Sequence, residues 1–349
     1  MIAAHSALQR PADAKLLAIR AGGAIEHGPR SRWVELLQRG DLVVANDAMT
    51  LPASLAGVHV PSGRAIEVRL AQRRSLDPHD VHRFLAVVFG EGDHRTRTED
   101  RAAPPELRAG DRLDLGPLKA VVREVRHPRL VGIELEGDAG AIWAGLASHG
   151  KPIQYAYLRE DLALWDVWTP FAAIPAAFEP PSAGFAIDWR AIAQVRAAGA
   201  AFATITHAAG ISSTGDPALD AMFPLDEPYR IPQRTADLVD RTRRSGGRVI
   251  AVGTTVVRAL EAAANEGAGL HAGGGIATQR IGAGTRLRVV DAILSGTHEP
   301  GTSHYELLQA FADARTLREA DRTLDAYGYR THEFGDSVFV ERRAATPRQ

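Results

Sequence analysis

Two hydrophobic rhythms divide this chain. Before residue 58 and after residue 151, short apolar runs alternate with segments whose apolar residues recur every three or four positions. Leu42 to Ala45 and Val249 to Val252 are apolar at every position, which predicts strands covered on both faces. Ala201 to Thr206, Arg286 to Leu294 and Ser337 to Glu341 read as further strands. Helical spacing predicts helices around Trp33 to Leu37, Trp189 to Ala198, Thr235 to Arg244, Tyr305 to Phe311 and Leu317 to Tyr327. Such alternation is α/β organisation. Between residues 59 and 150 the rhythm shortens to Ala65 to Leu70, Phe84 to Val88, Leu113 to Val125 and Val131 to Leu135, separated by Gly, Pro and Asp turns. That spacing predicts a small barrel or sandwich. Residues 97 to 112, charged and Pro-bearing, read as a mobile hairpin within it. The expected fold is therefore an α/β body of residues 1–58 and 151–349, carrying the cofactor site, with an inserted small β-barrel domain at 59–150.

The most informative segment runs from Gly246 to Glu261, a buried strand entering a helix through a small-residue turn. Gly253 permits close approach of backbone to a ligand, and Thr254 or Thr255 is placed to cap the helix through its hydroxyl. Free amides at such a helix start attract a carboxylate or phosphate. Arg258 and Glu261 stand at i,i+3 and read as a helix-surface pair, although Arg258 also follows the ligand-type turn. Asn46 and Asp47 end another buried strand and face the same kind of cleft.

Composition narrows the chemistry. The chain has 349 residues, 45% hydrophobic and 24% charged, which suits a soluble enzyme-like protein of two domains or one with a large insertion. No apolar run approaches the roughly 20 residues that span a bilayer, and the first ten residues lack a secretory pattern, so the expected location is cytoplasmic. The absence of cysteine excludes disulfides, thiolate zinc sites, iron–sulfur clusters and Cys nucleophiles. His298 and His304 are spaced unlike common helical metal ligands, and no metal is expected. A net charge of −1 means that any RNA-binding patch is local. Arg241, Arg243, Arg244 and Arg248 form the best such run.

Several ordered motifs now converge. They are Gly40-Asp41-Leu42-Val43-Val44-Ala45-Asn46-Asp47, Leu51-Pro52-Ala53, Gly63 to Val68, Pro181-Ser182-Ala183-Gly184, Val289-Val290-Asp291-Ala292, His298 with Pro300, Tyr329-Arg330 and Phe334-Gly335-Asp336. The strongest is Ala251-Val-Gly-Thr-Thr-x-x-Arg-x-Leu-Glu261. In these the chain resembles, end to end, the S-adenosylmethionine:tRNA ribosyltransferase-isomerase family, which makes epoxyqueuosine. The resemblance implies an α/β body with an inserted β-barrel and the reaction at their junction. It also implies S-adenosylmethionine as co-substrate without a metal, and tRNA bearing 7-aminomethyl-7-deazaguanine as acceptor, with adenine and methionine leaving.

The same resemblance implies roles for individual residues. His207 matches a family histidine in Leu-His-Val-Gly and His298 keeps a His-x-Pro spacing; both are candidate acid/base or orienting groups. Ser182, Gly184, Gly253, Thr254, Thr255 and Arg258 are candidates at the cofactor, and Asn46, Asp47 and Glu227 at the acceptor. Trp165 and Trp168 read either as stacking platforms for an extruded base or as core. Gly335-Asp336 reads as the cap of the last strand. The chain also departs from the family pattern. Where the family has two arginines and a threonine it has Met49, Ser54 and Ala48; Ala186 stands for a histidine; Pro152-Ile153-Gln154-Tyr155-Ala156 replaces Leu-Pro-Pro-Tyr-Ile. Arg does not exchange with Met or Ser while keeping bidentate anion recognition. The departures describe a divergent member and leave open a small-molecule acceptor, or a non-catalytic RNA- or nucleotide-binding relative, beside the family reaction. Oligomeric state is not legible in the sequence.

Overall fold

The computed structural model describes residues 1–265 and 269–343. Among them one nine-stranded sheet forms the body, in the order Gly273–Ala277, Glu227–Ile231, Ala201–His207, Leu42–Asn46, Val249–Val252, Ala292–Gly296, Ser337–Glu341, Lys15–Ile19, Ile25–Pro29. The four central strands, Ala201–His207 to Ala292–Gly296, are mutually parallel. Their alternate residues pack into cores on opposite faces: Leu42, Val44, Val249 and Ala251 on one, Val43, Ala45, Ile250 and Val252 on the other. Burial on both sides explains why these strands are apolar throughout. The expected strand at Arg286 to Leu294 begins only at Ala292. Val289 and Val290 are buried like strand residues, but their amides and that of Arg288 donate to Glu261 instead of to a neighbouring strand.

A second unit is a closed six-stranded antiparallel barrel of Ser54–His59, Arg64–Gln72, Arg83–Phe89, Arg112–Leu115, Leu118–His127 and Leu130–Leu135. Its first strand precedes the expected join at residue 59, and the predicted Leu113 to Val125 strand is broken by a turn at Gly116, whose φ is +65°. The helix Ala139–His149, capped by Asp138, packs on the barrel through Ile142 and Leu146. The chain leaves the body just after Leu42–Asn46 and returns where Ile174–Ala177 pairs in parallel with Ala48–Thr50. The barrel is thus tethered at the carboxyl ends of the central strands. Ile211, Leu219 and Phe223 of the body pack against Leu85, Val87 and Phe89 of the barrel.

The expected hairpin at 97–112 is not formed. Thr98–Asp100 is a single turn, Leu107 enters the barrel core, and Arg101 is buried with its guanidinium on Glu67. Glu67 also binds Arg69 at 2.7 Å and the Ser54 hydroxyl at 2.7 Å. Charge at Arg101 reads as exposure in a sequence; its partner lies 34 residues earlier in the barrel wall. Removing one side of a buried charge cluster costs about 3–5 kcal/mol, whereas exposed pairs contribute about 0–1 kcal/mol. Glu67→Ala is therefore expected to lower the urea midpoint strongly, and Glu35→Ala, which removes the exposed partner of Arg32, to leave it nearly unchanged.

Candidate active site

The parallel strands end together, and their ends carry most of the predicted residues. Ligand sites of open α/β sheets form outside the carboxyl ends of strands. Asn46 is buried there; its amide donates to the His207 carbonyl at 2.9 Å and accepts from the His207 and Ala48 amides. Asp47 accepts from the Thr206 hydroxyl at 2.7 Å, and burial raises its pKa. Both side chains tie strands together, and neither lines the cavity described below.

Gly253 follows the Val249–Val252 strand with φ +91°, a left-handed conformation that favours glycine. It is itself the N-cap of the helix Thr254–Ala263, and no side chain caps that end. The expected threonine cap is not formed, because both threonines already lie inside the helix. The first-turn amides are left without a side-chain acceptor, and Thr254 and Thr255 line the cavity.

Arg258, one turn on, is buried and not paired with Glu261. Its guanidinium binds Glu227 and donates to the carbonyls of Ala277 at 2.9 Å and Leu225 at 3.1 Å. Glu227 opens the Glu227–Ile231 strand and accepts from the Gly210 amide at 2.6 Å. Burial, only partly offset by Arg258, raises its pKa. His207 lies behind this pair, fully buried, with Nε2 3.5 Å from the Glu227 carboxylate and no hydrogen bond to either ring nitrogen. Burial and then the Arg258 charge lower its pKa to about 3.

A cavity of about 170 Å³ joins these elements. It is bordered by Ser182, by Gly253 to Thr255, by the Arg258–Glu227 pair, and by His298 and His304 across from them. The two imidazoles stack with centroids 4.6 Å apart and planes 15° from parallel, and His298 Nε2 lies 3.2 Å from the Ser295 hydroxyl. Burial chiefly, then the neighbouring His304 and His332, holds His298 well below the usual histidine range; burial and then Arg258 bring His304 to about 4. Both rings are neutral near pH 7. Gly184 lies outside the lining, buried where an added Cβ would meet Thr169 and Phe171. Trp165 is exposed and Trp168 donates its indole N–H to the Thr50 carbonyl. Among the described residues no group of three or more His, Cys, Asp or Glu is arranged to hold a metal.

Several lining residues escaped sequence reasoning. His304 was visible only as a neighbour of His298. Glu179, which directly precedes Pro180-Pro181-Ser182, and Arg280 carried no local pattern. The basic run lies elsewhere: Arg248, at the start of its strand, is bound by Asp41 at 2.6 Å and Glu341 at 2.8 Å, and Arg243 donates to the Arg288 carbonyl. Asp336 accepts from the amides of Lys15 at 2.7 Å and Arg330 at 2.8 Å, joining chain segments beside the last strand.

Comparison with known proteins gives a consistent result. A profile of the queuosine biosynthesis protein family matches residues 1–340. The S-adenosylmethionine:tRNA ribosyltransferase-isomerase of Sorangium cellulosum is 33% identical over 341 residues, covering 92% of this chain and 89% of that protein. The enzyme of the same name from Thermus thermophilus is 31% identical over 316 residues, 88% and 86% of the two chains. The crystal structure of the S-adenosylmethionine tRNA ribosyltransferase of Thermotoga maritima shares the fold, with a TM-score of 0.51 at 22% identity over 97% of this chain and 95% of that one.

The neutral imidazoles set a pH dependence. An unfolded histidine titrates near 6.5, whereas His304 in the fold titrates near 4. The stability from keeping it neutral is full above pH 6.5 and lost as pH falls towards 4, with a limiting slope of about 1.4 kcal/mol per pH unit for one proton. Unfolding free energies measured across pH 4–7 are expected to depend less steeply on pH in His304→Gln than in the parent chain.

Proposed function

The chain belongs to the queuosine biosynthesis protein family, and from that membership we propose that it transfers and isomerises the ribosyl part of S-adenosylmethionine. The acceptor is 7-aminomethyl-7-deazaguanine in tRNA, the product epoxyqueuosine, and adenine and methionine leave. The observation that carries this reading is the cavity at the carboxyl ends of the central strands, where Gly253, Thr254, Thr255, Ser182 and His298 meet. Its chemistry suits a cationic donor. Neutral imidazoles avoid repelling a sulfonium, whereas histidines with ordinary pKa values would be partly charged in acid. His298, oriented by Ser295 and stacked on His304, is the group we assign to draw the proton beside the sulfonium.

The uncapped amides and hydroxyls of Thr254 and Thr255 suit the methionine carboxylate, with Ser182 across the cavity. Arg258 and Glu227 hold the wall between donor and acceptor. His207, sealed behind Glu227, is a positioning residue in this assignment, as are Asn46, Asp47 and Gly184. The enclosed volume is smaller than the several hundred Å³ usual for pockets that bury ligands of this size. A tRNA-modifying role implies a cytoplasmic protein; no helix among the described residues is long and apolar enough to cross a membrane.

Mass spectrometry of adenine and methionine released from S-adenosylmethionine tests the reading. Release is expected only with tRNA bearing 7-aminomethyl-7-deazaguanine, accompanied by a mass gain on the RNA; release with a small acceptor alone would sink it. General acid/base groups typically contribute 10²–10⁴-fold, so His298→Ala should lower turnover by about that factor with an unchanged circular dichroism spectrum.

A further inference from the structure

Of the three carboxylates on the cavity wall, two are already engaged. Glu227 is paired with Arg258, and Glu306, on the exposed side, accepts from Gln309 at 2.8 Å. Glu179 is different. It is buried, it lines the cavity, and among the described residues no Lys, Arg or His pairs with it. Its partners are neutral donors: the Tyr155 hydroxyl, and Ser212 through hydroxyl and backbone. A buried carboxylate without a counter-charge is costly, so it either takes up a proton or gains from a cationic ligand.

The support behind Glu179 is rigid. Tyr155 stacks on Tyr157 with centroids 5.9 Å apart, Tyr157 stacks on His332 at 4.1 Å, and the Tyr157 hydroxyl donates to Glu333. On the barrel side the Arg69 guanidinium lies 5.6 Å above the Tyr155 ring. Glu179 therefore sits on the cavity wall beside the contact between body and barrel.

We propose that the Glu179 carboxylate receives a primary ammonium of the substrates, and that its occupant is the aminomethyl nitrogen of the acceptor base. This rests on the ribosyl-transfer reading given above. The amine must lose a proton to become a nucleophile. An N–H bond of the ammonium breaks, its electron pair stays on nitrogen, and an O–H bond forms on Glu179; nothing is oxidised or reduced. Burial, and then the charge of Glu333, raise the Glu179 pKa to about 7, a value suited to exchanging a proton with an amine at neutral pH. Glu333, Tyr155 and Tyr157 face Glu179 from behind, with Arg69 beyond the Tyr155 ring, and Glu227, Arg258, Arg280, Glu306, His298 and His304 share the cavity. The histidines titrate well below 7 and do not contribute a limb there.

The experiment measures steady-state kinetics of Glu179→Gln and Glu179→Asp with tRNA bearing 7-aminomethyl-7-deazaguanine, calorimetric binding of S-adenosylmethionine alone, and the pH profile of kcat/KM. The expected result is a loss of at least tenfold in kcat/KM for the tRNA in Glu179→Gln, donor affinity within twofold of the parent, and partial rescue in Glu179→Asp. The parent profile should rise with pH through a limb near 7 that is absent in Glu179→Gln. Tyr155→Phe, which removes a donor favouring the ionised carboxylate, should move that limb to higher pH; a purely structural role would leave it in place. Weakened donor binding with unchanged tRNA kinetics would assign the carboxylate to the methionine ammonium and overturn the proposal, as would unchanged kinetics in both arms. Failure of the parent chain itself to release adenine would instead overturn the ribosyl-transfer reading and this assignment with it.

Discussion

The buried pair of Arg258 and Glu227 is the interaction on which the site depends. Arg258 rises from the first turns of a helix and spreads its donors over Glu227 and the carbonyls of Leu225, Ala277 and Gln279; Gln279 in turn donates to the Arg258 carbonyl at 2.7 Å. One guanidinium thereby fastens the helix to the two antiparallel strands that extend the sheet at this edge. Its charge also reaches beyond its contacts. Burial is the larger cause of the lowered pKa of both His207 and His304, and the Arg258 charge, poorly screened in the interior, adds to it. Arg258 thus contributes both to the geometry of the cavity and to keeping His304 neutral.

The central strands and the Gly253 turn were legible because local sequence determines them. A four-residue apolar run needs burial on both faces, and the turn needs a residue tolerant of positive φ. What was not legible rests on partners distant in the chain. Arg258 and Glu261 look like a pair on a helical wheel, yet their partners are Glu227 and the amides of residues 288–290. Asn46 and His207 were visible as polar residues at strand ends, but not that their contacts point inward. Glu179 had no periodic signal at all. Outer strands were also hidden: the edge strand Gly273–Ala277 has three glycines, and Lys15–Ile19, next to the other edge, pairs with Ser337–Glu341 from the far end of the chain.

Several of the departures from the family pattern lie where the chain passes between body and barrel; Ala186 lies apart, against the core on one face of the sheet. Met49 lies in the short strand that pairs with the returning chain at Ile174–Ala177, and Ser54 begins the barrel and binds Glu67. Tyr155, which matches the family run at its position while the residues around it differ, supports Glu179. Two of the barrel's arginines, Arg69 and Arg101, are bound by Glu67, whereas Glu179 is held by neutral donors.

The parallel pairing of Leu16 with Ser337 has a consequence for biosynthesis. All strands of the barrel lie within residues 54–135, so it can close on the ribosome while the rest of the chain is still being made. The Lys15–Ile19 strand, although synthesised first, has one sheet neighbour in the adjacent hairpin and must wait for the other until nearly the whole chain has emerged. At roughly 5–20 residues per second that interval is on the order of twenty seconds to a minute. During it the nascent protein presents an unpaired apolar strand edge, the kind of surface that is prone to aggregate until its partner strand arrives.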